Sequence, residues 1–159
     1  MKQISVLLFL LFSSVLLFAQ FAPAAGMAGS TAIPKDSSLF VAWATSCNVQ
    51  RGYMDIAVPD SGYASVGDGS SAIGAAGQNG VVSLGDGGVA TLTFAYPIYN
   101  GPGFDFAVFE NGFYNQNPLA FLEFAFVEVS SDGNNFFRFP AASNIQDTAQ
   151  IPMTGIDCS

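Results

Sequence analysis

At 159 residues, with 4 Lys and Arg against 12 Asp and Glu and no histidine, the chain has room for one domain and a formal net charge of −8. That balance disfavours nucleic acid and anionic lipid as partners, since both repel a negative surface. The missing histidine excludes Ser-His-Asp and Cys-His catalysis and the common histidine-containing zinc sites.

The chain opens with Lys2, an apolar run from Ile4 to Phe18, and Ala19-Gln20. A basic start, a short apolar stretch and a small residue at its end predict a signal peptide over residues 1–19. The run is too short to cross about 30 Å of hydrocarbon comfortably. No other stretch is long enough, so no membrane span is expected after cleavage, and no cysteine follows to take a lipid anchor. The expected location is secreted, extracellular or on the outer cell surface. Export permits a disulfide between Cys47 and Cys158. It would close a loop of about 110 residues, worth on the order of 4–5 kcal/mol in lost chain entropy. Two thiols free of each other are the alternative.

Residues 20–36 hold Pro, Gly, Ala and Ser without period and read as an extended arm; a single domain follows over 37–159. Leu39–Ala44, with the one tryptophan, Trp43, is a strand candidate. Residues 59–80 are loop. Val81–Leu84 and Val89–Phe94 flank Gly85-Asp86-Gly87-Gly88, which predicts a hairpin. Phe104–Glu110 alternates with period two. Phe121–Ser130 is aromatic on both faces and is expected to be central and buried. Ser131–Asn134 turns the chain into Phe136–Phe139. No segment has a helical period. Short strands and close turns predict an all-β antiparallel sandwich or jelly roll. The abrupt end at Cys158-Ser159 suggests that the sandwich is incomplete at its C-terminus.

Alternating strand direction sorts the polar residues into two ends, separated by roughly 23 Å for a seven-residue strand. One end collects Asp86, Glu110, Asn111, Tyr114, Asn115 and Asn117. Carboxylates and amide carbonyls are the hard oxygens calcium takes at about 2.3–2.6 Å. Asp86, Glu110 and Asn111 are therefore candidate calcium ligands, with Asp68 able to join from the long loop. The other end collects Tyr96, Tyr99, Asn100, Asp132, Asn134 and Asn135. Tyrosine rings stack on the apolar faces of sugars and amides bond hydroxyls. Tyr96, Tyr99, Asn100, Asp132 and Asn134, with Tyr114, are thus candidate glycan contacts, against a plain turn-forming role for Asn, Asp and Gly. Asp105 needs a partner if buried: Arg51, Arg138, calcium or backbone N–H groups. Glu123 and Glu128 lie on opposite strand faces and cannot flank one bond. Glu110 with Asp86 could reach the roughly 5–9 Å of a glycosidase pair.

Val127-Glu128-Val129-Ser130-Ser131-Asp132-Gly133, followed by Phe136 and Arg138-Phe139, is similar to the Ser-Asp-Gly-x-x-aromatic hairpin of galactose-binding-like (discoidin, F5/8 type C) sandwiches. Together with Ala42–Thr45, Val82–Gly88, Pro97-Ile98, Asn100-Gly101 and Asp105–Asn111, it resembles a family of secreted cell-surface proteins of Bacteroidetes and other bacteria. Many of these are type IX secretion cargo with a C-terminal sorting domain, which this sequence lacks. The resemblance implies a galactose-binding-like fold. The expected function is extracellular binding or adhesion to a surface glycan, with structural calcium as the candidate cofactor. Alternatives are a non-binding structural domain of a larger secreted protein or, less favoured, a carboxylate hydrolase; no enzyme activity is expected. Oligomeric state is left open.

Overall fold

The computed structural model describes residues 28–114, 119–121, 123–141 and 151–152. The signal peptide, the first part of the arm, Asn115, Asn117 and Cys158 lie outside these residues. The class is all-β, built from small antiparallel sheets. Strand β1 (Ser46–Gln50) pairs with β2 (Val89–Thr93) over five positions, from Ser46 opposite Thr93 to Gln50 opposite Val89. Strands β3 (Phe113–Tyr114), β4 (Leu119–Phe121) and β7 (Ile151–Pro152) form a second sheet in the order β3-β4-β7. Strands β5 (Glu128–Val129) and β6 (Phe137–Arg138) form a short hairpin.

Strand β1 follows its own alternation. Cys47 and Val49 point inward and Ser46, Asn48 and Gln50 outward, as period-two patterning requires. The expected strand at Leu39–Ala44 is not formed. That segment instead supplies Phe40 and Trp43 to an aromatic cluster with Phe109, with ring centroids 5.3–5.8 Å apart.

The expected 81–84/89–94 hairpin is also not formed. Val89–Thr93 is a strand, but its partner is β1. Residues 81–84 are drawn to the long loop: Ser83 N–H donates to Val66 O at 3.1 Å and Gly52 N–H to Leu84 O at 2.7 Å. Arg51 fastens the same region. Its guanidinium donates to the carbonyls of Val66 (3.0 Å), Gly67 and Ser83. A planar fork of donors suits several diverging carbonyls better than an ammonium would.

Glycines let these backbones touch. A Cβ on Gly52 would collide with Asp86 O and Gly88 N, and one on Gly69 with Cys47 O. The second contact lets the 3-10 turn Gly69–Ala72 lie against β1. Asp68 caps that turn, accepting from Ser70 N–H at 2.7 Å and Ser70 Oγ at 2.6 Å. Residues 59–80 are loop apart from this turn and Pro59–Ser61, as the composition predicts.

Phe104–Glu110 has no strand partner among the described residues. Phe124 and Phe126 are exposed rather than buried on two sides. The hairpin beside them has only two strands, and what covers Phe126 is the Arg138 guanidinium, 4.2 Å from its centroid. Among the described apolar side chains, Ala44 alone is buried. Backbone hydrogen bonds and the Arg51 clasp, more than a hydrophobic core, hold residues 46–93 together.

Candidate functional site

The two sets of polar residues behave differently. In the calcium set, each carboxylate is engaged by a backbone N–H. Asp86 Oδ2 accepts from Ile56 N–H at 3.0 Å, and Asp86 is bridged through its backbone to Tyr53. Glu110 Oε1 accepts from Glu123 N–H at 3.1 Å. Asn111 is exposed, and Tyr114 stands in β3 opposite Ala120. No hydrogen bond joins Asp86 to Glu110 or Asn111, and among the described residues no three His, Cys, Asp or Glu gather closely enough to hold a metal. Asp68 is spent on its turn cap, and the Ser70 hydroxyl hydrogen bond lowers its carboxyl pKa.

Loss of solvent raises the Glu110 carboxyl pKa, which its bond from Glu123 N–H only partly offsets. A carboxyl whose folded pKa is raised favours the fold while protonated. That contribution is present below the unfolded value and is lost as pH rises through the folded one. Glu110→Gln keeps an oxygen acceptor and removes the charge. In chelator at neutral pH it is therefore expected to raise Tm slightly. A calcium site built on Glu110 gives the opposite sign in calcium buffer, so paired melts distinguish the two.

In the second set, the 131–135 turn uses its own polar groups. The Asp132 carboxylate accepts from Asn134 N–H and Asn135 N–H, each at 2.8 Å, from Asn135 Nδ2 at 2.6 Å and from Ser130 Oγ at 3.0 Å. Asn134 Nδ2 donates to Asp132 O at 3.1 Å. These bonds, the Asn135 N–H foremost, hold the Asp132 carboxyl far below the ordinary carboxylate range. A depressed folded pKa stabilises above the unfolded value and is lost as pH falls through the folded one. Asp132→Ala should therefore lower Tm at neutral pH, and the deficit should shrink in strong acid; a constant deficit across pH would contradict this role. Asp132 and Asn134 thus serve the turn. At its base Arg138 Nε meets Glu128 Oε1 at 2.7 Å.

Tyr96 and Tyr99 differ. They are 80% and 79% exposed and make no hydrogen bond or ring contact among the described residues. They flank Pro97-Ile98, with Asn100 next, on a loop whose far side is pinned by Gly101 N–H donating to Asp105 Oδ1 at 2.7 Å. Asp105 therefore takes a backbone donor, and neither arginine. It also lines a groove of about 330 Å³ between Ile33, Leu39 and Phe40 of the N-terminal segment and Phe104–Ala107. One carboxylate thus links the tyrosine loop to an apolar groove. Asp132 and Asn134 are not joined to that loop by any hydrogen bond.

Sequence reasoning missed the groove's near wall, because nothing in the pattern of residues 33–40 connects them to 104–107. It also missed the Tyr53–Tyr63 stack, 4.8 Å between centroids, which accompanies their backbone bridge. The expected disulfide has one partner, Cys158, outside the described residues. Among the described residues Cys47 has no disulfide partner, and burial raises the pKa of its thiol. No helix among the described residues is long and apolar enough to cross a membrane. In comparisons with known proteins, no family model, curated protein or solved structure matches the chain.

Proposed function

We propose that this chain is an extracellular binding or adhesion module whose ligand is a carbohydrate, carried on a galactose-binding-like sandwich and exported by its N-terminal signal. The observation that supports this reading is the pair of open rings at Tyr96 and Tyr99, on a loop held by Asp105, which also lines a groove. Tyrosine offers a large rigid face at low entropic cost, having few rotatable bonds. It also has a hydroxyl for polar contact. Asn100 adds an amide beside them. Asp132 and Asn134, committed to their own turn, shape the fold rather than the ligand site.

The experiment is titration of the protein with a panel of soluble polysaccharides, followed by calorimetry and by thermal melting. A ligand that prefers the folded state raises Tm by mass action. Saturable heat with a Tm rise for at least one glycan is expected. A flat response to the whole panel would sink the reading and leave the non-binding structural domain.

A further inference from the structure

The cations of this chain are few, and both arginines are occupied. Of its 4 Lys and Arg, Lys2 lies outside the described residues and the others are Lys35, Arg51 and Arg138. Arg51 is spent on the carbonyls of Val66, Gly67 and Ser83. Arg138 is spent on Glu128 and on the face of Phe126. Lys35 is exposed, with its ammonium near Gly77, and takes no ion pair or hydrogen bond among the described residues. Residues 96–105 contain no cation, and the groove beside them is lined by one carboxylate, Asp105, and no cation. A uronate carboxylate or a sulfate placed on Tyr96 and Tyr99 would find no positive partner within that loop. It would also meet the field of a chain with net charge −8.

We infer that the tyrosine site selects uncharged glycans and rejects polyanionic ones, a specificity that rests on the carbohydrate-binding reading above. The selection comes from repulsion rather than from added contacts to the preferred ligand, which is how many sites discriminate between similar partners.

The test uses two polymers with one backbone, hydroxyethylcellulose and carboxymethylcellulose, titrated at low and at high salt. The neutral polymer is expected to bind with little dependence on salt. The carboxylated one should bind at least about tenfold more weakly at low salt, and the gap should close as salt screens the repulsion. Equal binding at low salt, or tighter binding of the carboxylated polymer, would overturn the selectivity while leaving the glycan site standing. Binding of neither polymer, with another neutral glycan of the panel also silent, would overturn both. Asn100→Lys, which adds a cation beside Tyr99, is expected to narrow the low-salt gap; an unchanged gap would contradict the electrostatic cause.

Discussion

Gly52→Ala is expected to destabilise the protein by about 3 kcal/mol, at the upper end for overpacking, and to lower Tm by about 10 °C or more. The reason is local and severe. The new Cβ would enter the space held by Asp86 O and Gly88 N, which are backbone atoms and cannot rotate away. Moving them disturbs a run of bonds: Gly52 N–H to Leu84 O (2.7 Å), Ala64 N–H to Gly52 O (3.0 Å), and the Tyr53–Asp86 bridge with Asp86 N–H to Tyr53 O (2.8 Å). Gly101→Ala is the control. Its Cβ would meet Asp105 Oδ1 at an ordinary 3.4 Å, and a surface change of that kind stays within about 0.5 kcal/mol. Chemical denaturation of both variants reads the difference, with m-values reporting whether the folded state keeps its extent. Similar midpoints for the two would mean that the loops around Gly52 do not pack as described.

The second large effect concerns binding. The double variant Tyr96→Ala/Tyr99→Ala should weaken glycan affinity by about a hundredfold. That assigns each ring a little over 1 kcal/mol, the scale of an aromatic anchor in an interface. Its melting temperature without ligand should stay close to that of the parent, because both rings are open to solvent and make no hydrogen bond or ring contact among the described residues. Lost binding with an unchanged melt is the signature of a contact role. A fall in both would assign the rings to the fold.

What the sequence made legible was chiefly local. The Ser130–Asn135 turn, with Asp132 at its centre, follows from turn chemistry and is found as expected, between β5 and β6. Val89–Thr93 was readable from its alternation. The absence of α-helix from 59–80 followed from composition. Pairing was not legible, because a strand's partner depends on contacts far along the chain. Gly85–Gly88 looks like a hairpin turn, yet Arg51 and Val66 hold residue 83 away from β2. Strand β1 carries a signal, the polar–apolar alternation of Ser46–Gln50, but the stretch before it is more apolar and gives the stronger one.

The candidate site divides in the same way. Tyr96 and Tyr99 could be chosen by residue type, and their exposure fits the role proposed for them. Asp132 and Asn134 were chosen by the same criterion, but the hydrogen bonds within their turn occupy them. Asp105 could be recognised as a polar residue in an apolar run; its partner, a backbone N–H four residues earlier, could not be singled out from the alternatives. The groove brings together residues about 70 positions apart, and no local pattern announces such a contact.

The most direct measurement is the NMR response of the Tyr96 and Tyr99 ring protons, assigned by single Tyr→Phe substitutions, during titration with a neutral oligosaccharide that binds. The account predicts that these two ring signals shift or broaden first, saturating with the calorimetric curve, while the amides of 131–135 stay in place. Saturable binding that leaves both rings unmoved, or that moves the 131–135 turn instead, would contradict it.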